Sequence, residues 1–448
     1  MAPNANRESS YPSRRQILKH AGAAGTIGLA ALAGCAGQSE SGGGGGSGGD
    51  SGGEDTTEAE TEQDQTTADS GSNDLKVGFV VPLSGPLSAP GEAEQRGAKL
   101  AVQHINEEFG GIDGRNVVGV FEDTQTDPAV GREKARKLVE SDGVDVLMGA
   151  VSGAVSLSVA DYAYSAGVPY YTYGGSNSIT GSECKPTTFR YQFSADQDAR
   201  AGAPWALENL GQNVWIHYAD YSFGQSIRDT WQSVIENTEG SNIVNVTKTP
   251  LGTSDYSSYI SQMQSSNADW VLTALSGSDA INFLKQADQF GLKNQMDIMS
   301  PLNSQQPLRQ GAGMAAVDTY TIIRYSYKYD TPANAELVAA YEDAYDAPPD
   351  DPGAVMWSSM RLYAMAAENA GGTETADIVA GMADLESEEP MGPVTMRECD
   401  HQAVRDYPVG KIVAPEEYDW PALSVSEVRP ADEITKACED TGCEMPSL

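Results

Sequence analysis

From Leu75 onward, short runs rich in β-branched and aromatic residues alternate with amphipathic helical stretches, and this alternation constrains the fold more than any other feature. Strands that alternate with helices over short loops form parallel sheets covered by helices on both faces. The same alternation of strands and helices begins again after about Phe193, which predicts an α/β fold with two Rossmann-like lobes. The predicted strands are residues 75–81, 117–121, 144–148, 169–172, 214–217, 243–247, 270–274 and 297–299.

The predicted helices carry start and stop signals. Asp127 and Pro128 are typical of an N-cap and a first helical residue. A Gly110-Gly111 pair ends the first helix, which begins near Glu92. The other predicted helices are residues 128–141, 154–166, 226–236, 257–265, 279–290 and 355–370.

The amino-terminal segment has the features of an export signal. Residues 13–19 (SRRQILK) resemble a twin-arginine motif, and the apolar stretch 21–33 is too short to span a bilayer. The following Leu-Ala-Gly-Cys sequence resembles a lipoprotein box that ends at Cys35. We therefore expect residues 1–34 to be a signal, Cys35 to be lipidated, and the mature protein to be anchored at the extracellular face of the cell membrane.

Residues 38–73 contain almost nothing apolar and are rich in Gly, Ser, Thr, Asp and Glu. Such a composition buries too little surface to offset chain entropy, so segment 35–74 is predicted to be a disordered tether. Two G-x-S-x-G matches, at Ser47 and Ser51, lie in this tether. The rest of the chain lacks this hydrolase motif, as well as H-E-x-x-H, P-loop and dinucleotide fingerprints. We expect no enzyme activity and no cofactor.

Acidic residues greatly outnumber basic ones. The chain has 64 Asp and Glu against 28 Lys and Arg, a formal net charge of −36. Nucleic acids and anionic lipids are bound by clustered basic charge, so both are excluded as partners. The carboxylates are spread along the whole chain, which favours a halophilic origin; an ordinary acidic protein is the alternative.

The cysteines outside the export segment are Cys184, Cys399, Cys438 and Cys443. An even number in an exported chain predicts disulfides, and three pairings are open. Proximity in sequence favours a small loop between Cys438 and Cys443, which leaves Cys184 to pair with Cys399. There is no C-x-x-C pair, and the four histidines show no metal-ligand spacing, so we expect no metal site.

Several segments taken together resemble one family. They include 84–139, 149–172, 221–226 (YSFGQS), 254–263 (SDYSSYISQM) and 279–292. In order and spacing they are similar to the branched-chain amino acid and amide binding proteins, the type I periplasmic-binding family of ABC importers. This resemblance implies a monomeric receptor that binds a small molecule and docks on a membrane permease. A ligand sensor or regulator of the same fold is the alternative.

The resemblance also implies two lobes joined by three crossings, near residues 189–195, 321–326 and 391–396. Lobe 1 is then 75–193 plus 324–391, and lobe 2 is 194–323 plus 392–430. Residues 431–448 form a carboxyl-terminal tail.

Candidate ligand contacts cluster where predicted strands end. The loop at Ser152, Gly153 and Ala154 leads into a helix, whose free N–H groups and dipole suit a carboxylate or carbonyl oxygen. Ser152 as an ordinary N-cap is the alternative. The resemblance places further contacts at Gly174, Ser176, Phe223, Ser276 and Leu302, with Tyr173 and Tyr221 as aromatic walls or as core residues.

Leu302 bears on the ligand class. The resemblance assigns this position to an acidic residue that pairs with a ligand ammonium group. A buried ammonium without a counter-charge is costly. We therefore expect carboxylates or amides without an α-ammonium group to bind better than leucine, isoleucine or valine.

Overall fold

The computed structural model describes residues 73–448 and confirms the α/β alternation. The predicted signal, Cys35 and nearly all of the tether lie outside these residues. The first lobe begins with a parallel sheet of five strands in the order β2-β1-β3-β4-β5. Its elements are β1 Leu75–Val81, α1 Ser88–Glu108, β2 Val117–Asp123, α2 Pro128–Lys137, β3 Val146–Gly149, α3 Gly153–Ala166, β4 Tyr170–Thr172 and β5 Thr188–Arg190.

Local sequence signals explain these helix boundaries. The Asp127 carboxylate accepts hydrogen bonds from the backbone N–H groups of Ala129 and Val130, at 2.8 and 3.0 Å, and Pro128 is the first helical residue. Gly110 and Gly111 follow α1 with positive φ, as its predicted end requires. The α1 helix begins at Ser88, four residues before the predicted start.

The second lobe contains a seven-stranded sheet in the order β15-β14-β10-β9-β8-β6-β7. Strands β6 to β10 are parallel; β6 to β9 match the predicted strands, whereas β10 was not predicted. The elements in this part are α4 Ala195–Asn209, β6 Asn213–Ala219, α5 Ser222–Glu236, β7 Asn242–Thr249, α6 Ser257–Gln264, β8 Trp270–Ala274, α7 Gly277–Gln289, β9 Asp297–Ser300, α8 Gln306–Ala312 and β10 Tyr320–Ile322.

The chain then returns to the first lobe before it completes the second. The returning elements are α9 Pro332–Tyr345, α10 Asp351–Ala370, α11 Thr375–Met382, β11 Glu386–Glu389, β12 Gly392–Met396 and β13 Ala403–Val404. Strands β14 Tyr407–Pro415 and β15 Pro421–Arg429 extend the second sheet as an antiparallel hairpin, and α12 Ala431–Ile434 follows.

The third crossing lies later in the chain than expected. Strands β11, β12 and β13 form a small antiparallel sheet, and Val394, Met396 and Ala403 pack in the core of lobe 1. Tyr407 packs in the core of lobe 2. The two cores therefore divide at the segment 404–406, whereas the predicted boundary was Met391. The reason is that β11, β12 and β13 pair with one another as antiparallel strands and remain on lobe 1. The other two crossings fall where the cores divide, between residues 191 and 193 and between 322 and 325.

All four cysteines within residues 73–448 form disulfides, but the predicted pairing is wrong. The bonds join Cys184 to Cys443 and Cys399 to Cys438, with Cα–Cα distances of 5.6 and 6.1 Å. The carboxyl-terminal tail, residues 431–448, is here called the strap. It starts in lobe 2, where Ile434 is buried. The strap then runs past loops of lobe 1, so Cys438 and Cys443 each meet a different partner instead of each other.

Candidate functional site

A cavity of about 390 Å³ lies between the two lobes, at the carboxyl ends of strands from both sheets. This is where open α/β sheets bind ligands, and the volume suits a small molecule. Most of the side chains that line it are apolar. Its walls combine the loop 85–90 of lobe 1 with residues of lobe 2 that include Phe223, Ile281, Leu302 and Leu308.

Helix starts converge on this cavity. The residues that precede the first turns of α1, α3, α5, α7 and α10 all line it, and none of them makes a side-chain cap bond to its own helix. Helix N-termini carry partial positive charge and unpaired N–H groups. The arrangement therefore favours an anion inside the cavity. These N-cap residues are Leu87, Ser152, Tyr221, Ser276 and Asp350.

Six of the ten predicted ligand contacts line the cavity: Ser152, Tyr173, Tyr221, Phe223, Ser276 and Leu302. The hydroxyl of Ser152 makes no hydrogen bond within the described residues, so it is available to a ligand. The hydroxyl groups of Tyr221 and Ser276 lie 2.8 Å apart and satisfy each other. Burial raises the pKa of Tyr221, so its phenol is neutral. Tyr221 and Phe223 stand beside each other with ring centroids 6.1 Å apart.

The other predicted contacts, at Gly153, Ala154, Gly174 and Ser176, are not among the lining residues. A Cβ at Gly153 would lie 2.8 Å from Cβ of Ser176, so this glycine allows close packing of α3. The N–H of Gly174 donates to Thr172 Oγ1 at 3.1 Å and is not free for a ligand. Gly175 lines the cavity in its place.

Arg324, predicted only to mark a lobe boundary, also lines the cavity. It follows β10 at the second crossing and is 2% exposed. Its Nη2 donates to the Asp198 carboxylate and its Nε donates to the carbonyl oxygen of Pro301 at 3.2 Å. No described residue accepts a hydrogen bond from Nη1. The sequence signal was an arginine that follows the apolar pair Ile322-Ile323 in a chain with few basic residues.

The Arg324–Asp198 pair is charged at neutral pH. Burial by itself lowers the pKa of Arg324, but the attraction of Asp198 outweighs it and raises that pKa above its ordinary value. Burial raises the pKa of Asp198 to about 6, and Arg324 opposes that rise. The guanidinium is therefore a cation held in a fixed position, and its Nη1 group can donate hydrogen bonds to a ligand.

The lobes contact each other directly beside the cavity. Asp350, at the start of α10, accepts a hydrogen bond from the N–H of Gln306 at 2.8 Å, at the start of α8 in the other lobe. Tyr173 donates to Asp351 at 2.5 Å and accepts a hydrogen bond from Gln305 Nε2 at 3.3 Å. The Asp350–Gln306 and Tyr173–Gln305 hydrogen bonds join the two lobes, an arrangement here called closed, whereas the Tyr173–Asp351 bond lies within lobe 1.

Within residues 73–448, no helix combines the length and apolarity that a membrane span requires. No group of three or more His, Cys, Asp or Glu residues in the same range is arranged to hold a metal ion.

Comparison with known proteins supports the interpretation of this fold. The family described as periplasmic binding proteins matches residues 74–416. The Leu/Ile/Val-binding protein homolog 7 of Brucella abortus is 28% identical over 310 residues, which cover 64% of this chain and 74% of that protein.

Solved structures agree with this match. A periplasmic binding protein from Burkholderia mallei has a TM-score of 0.77 at 22% identity, covering 84% of this chain and 99% of that one. An ABC transporter solute binding protein from Rhodopseudomonas palustris, in complex with 3,4-dihydroxybenzoic acid, has a TM-score of 0.73 at 23% identity, covering 80% and 97%. The predicted two-lobed fold is confirmed.

Proposed function

The chain belongs to the periplasmic binding protein family, and on this basis we propose that it is the receptor of an ABC importer that captures a small organic acid between its lobes. Relatives and structural neighbours are substrate-binding proteins rather than enzymes. Delivery to a membrane permease follows from that role. We further propose that Cys35 carries a lipid anchor and that the mature protein acts outside the cell.

The observation that carries the proposal is the interlobe cavity, into which Arg324 brings a positive charge and the Nη1 donor that no described residue accepts from. A ligand carboxylate would accept hydrogen bonds from Arg324 Nη1 and from the Ser152 hydroxyl, in the positive field of the α3 N-terminus. The apolar part of the ligand would pack on Tyr221, Phe223 and Leu302. A ligand in this position touches both lobes and therefore stabilises the closed arrangement.

A planar acid fits this cavity better than an aliphatic amino acid. Leu302 lies in its wall and offers no anionic partner to an α-ammonium group, and the acidic residue that does line the cavity, Asp350, already accepts a hydrogen bond from the Gln306 N–H. Structural neighbours have been solved with 3,4-dihydroxybenzoic acid, 4-hydroxybenzoate and benzoate. These ligands share a carboxylate on an apolar ring, which matches the chemistry of the lining.

The test is calorimetry on the purified chain in high salt. The titrants are benzoate, 4-hydroxybenzoate, leucine and 4-methyl-2-oxopentanoate, the deaminated analogue of leucine. We expect at least one of the acids to bind with micromolar or lower Kd and leucine to bind more weakly than its analogue. Tight binding of leucine without binding of the acids would contradict the proposal.

A further inference from the structure

The strap connects the two lobes a fourth time, in addition to the three crossings of the main chain. Its first turn belongs to lobe 2, because Ile434 is buried in the core of that lobe. Four residues later, Cys438 is bonded to Cys399 of lobe 1. The strap therefore passes from one lobe to the other between residues 434 and 438, and a covalent bond fixes the far end of this link.

Lys436 contacts both lobes. Its Nζ pairs with Asp196 Oδ1 of α4, in lobe 2, at 2.8 Å, and its carbonyl oxygen accepts a hydrogen bond from Arg397 Nη1 of lobe 1 at 2.6 Å. The preceding residue still belongs to lobe 2, since the hydroxyl oxygen of Thr435 accepts a hydrogen bond from Gln197 Nε2 at 3.5 Å. The change from lobe 2 to lobe 1 therefore takes place at a single residue.

The linking segment is already extended. Thr435 has φ −105° and ψ 128°, and Ala437 has φ −58° and ψ 151°. An extended chain spans at most about 3.3–3.6 Å per residue, so the Cα atoms of Ile434 and Cys438 can lie at most about 14 Å apart. The link therefore cannot lengthen much when the lobes move. The bond at Cys443 is nine residues from Ile434, and by itself it would allow about 32 Å.

The link lies beside two of the main-chain crossings. The N–H of Ala431 donates to Asp406 Oδ1 at 2.9 Å, at the end of the third crossing. Arg190 and Ser194, on either side of the first crossing, line one small cavity together with Lys436. A fixed link at this place restricts rotation and sliding of the lobes about the crossings, which is the motion that opens a cavity between two lobes.

We propose that the strap, closed by the Cys399–Cys438 bond, limits the opening of the lobes and holds the ligand-free protein nearer to the closed arrangement. This inference goes beyond the proposed function, because it concerns the motion of the lobes and not the identity of the ligand. A receptor whose closed state is more populated binds its ligand more tightly. The strap therefore raises affinity, although none of residues 431–448 lines the ligand cavity.

Hydrogen exchange of the ligand-free chain in high salt, followed by mass spectrometry, measures the opening. The N–H of Gln306 donates to Asp350 across the lobes, and as the first residue of α8 it has no acceptor in its own helix. It is therefore protected only while the lobes are closed. In Cys399→Ser/Cys438→Ser the next bond to lobe 1 is at Cys443. Because chain closure scales with the −3/2 power of length, exchange at Gln306 should be about threefold faster.

Cys184→Ser/Cys443→Ser is the matched control. It also removes one disulfide of the strap, but it leaves the link between Ile434 and Cys438 fixed. Exchange at Gln306 should therefore match that of the wild type. Strand β1, in the core of lobe 1, should stay protected in all three proteins, which separates lobe opening from a general loss of stability.

A pair of insertions tests the length of the link with both disulfides intact, and it decides the matter if the cysteine variant does not fold. Gly-Ser-Gly-Ser inserted between Lys436 and Ala437 doubles the link, so exchange at Gln306 should again be about threefold faster. The same insertion between Asp440 and Thr441 lies beyond Cys438, on lobe 1, and should leave this exchange unchanged.

The results have separate meanings for the two proposals. Wild-type exchange at Gln306 after the insertion at Lys436, or equal acceleration by the control insertion, overturns the role of the strap. Calorimetry with benzoate should give a Kd about threefold higher for Cys399→Ser/Cys438→Ser than for the control variant; equal Kd values overturn the contribution to affinity. If no acid binds, the proposed function fails, and the exchange rates still decide whether the strap limits opening.

Discussion

Replacing Arg324 by leucine tests the proposed carboxylate site, provided that its effect on stability is measured separately. Arg324 and Asp198 are 2% and 0% exposed, and removal of one partner of such a buried pair costs about 3–5 kcal/mol. Burial raises the pKa of Asp198 to about 6 even beside Arg324. A carboxyl group with a raised folded pKa destabilises the fold as pH rises through that pKa. Arg324→Leu should therefore lose less stability at pH 5 than at pH 8.

The effect on binding has a different origin. A hydrogen bond from the guanidinium to a ligand carboxylate contributes about 1.5–3 kcal/mol, which corresponds to roughly 10-fold to 150-fold in Kd. Adding Asp198→Asn to Arg324→Leu removes the uncompensated buried carboxylate. The double variant should regain most of its melting temperature, and its affinity for benzoate should stay low.

Arg309→Leu is the matched control. Arg309 is 4% exposed, donates to the carbonyl oxygens of Ser304 and Pro421, and does not line the cavity. Thermal melts at pH 5 and pH 8 report stability, and calorimetry with benzoate in high salt reports binding. The reasoning is refuted if Arg324→Leu binds benzoate as tightly as the wild type, or if folded Arg309→Leu loses as much affinity.

Three further changes have definite expected outcomes. Glu94 is fully buried, its carboxylate oxygens have no partner among the described residues, and burial raises its pKa well above the ordinary value. The free-energy cost of keeping this carboxyl group in the folded state grows with pH. Glu94→Gln should therefore raise the melting temperature at pH 8 and change it little at pH 5. Cys443→Ser should cost about 2–4 kcal/mol of stability and leave Cys184 as a free thiol in non-reducing peptide maps; an unchanged melting temperature would argue against a stabilising role for this bond. Cys35→Ala should release the protein from the membrane fraction or leave it unprocessed, and a variant that stays membrane-bound at wild-type size would disprove lipidation.

The strand–helix units were predictable because their signals are local. Apolar runs, the Asp127-Pro128 cap and paired glycines identify strands β1 to β4 and β6 to β9 and the helices between them from short windows of sequence. The three-residue strands β5 and β10 and helices α4, α8, α9 and α11 were not predicted. The antiparallel elements β11 to β15 were not predicted. Strand β15 is largely exposed at the sheet edge, so it lacks the continuous apolar run of a buried strand.

The site was only partly predictable, for a different reason. Ser152, Tyr173 and Ser276 follow strands or open helices, so the fold rule for ligand positions identifies them. Arg324 and Asp350 reach the cavity only because the chain crosses back to lobe 1 late in the sequence. The position of a long-range crossing depends on how both lobes pack. The disulfide pairing fails for the same reason, since sequence proximity does not report the path of the strap.

The disulfides are nested, because the Cys399–Cys438 bond lies inside the segment that Cys184–Cys443 closes. A chain is synthesised from its amino terminus, so the first two of these thiols exist before the last two. Pairing in order of synthesis would join Cys184 to Cys399. Each native bond instead includes a cysteine of the strap, so both bonds can form only after the strap has been synthesised and lies where Arg397 donates to the Lys436 carbonyl and Tyr164 to the Ser447 carbonyl. Oxidation to the native pairs is thus a late step, because it must wait until synthesis has passed Cys443.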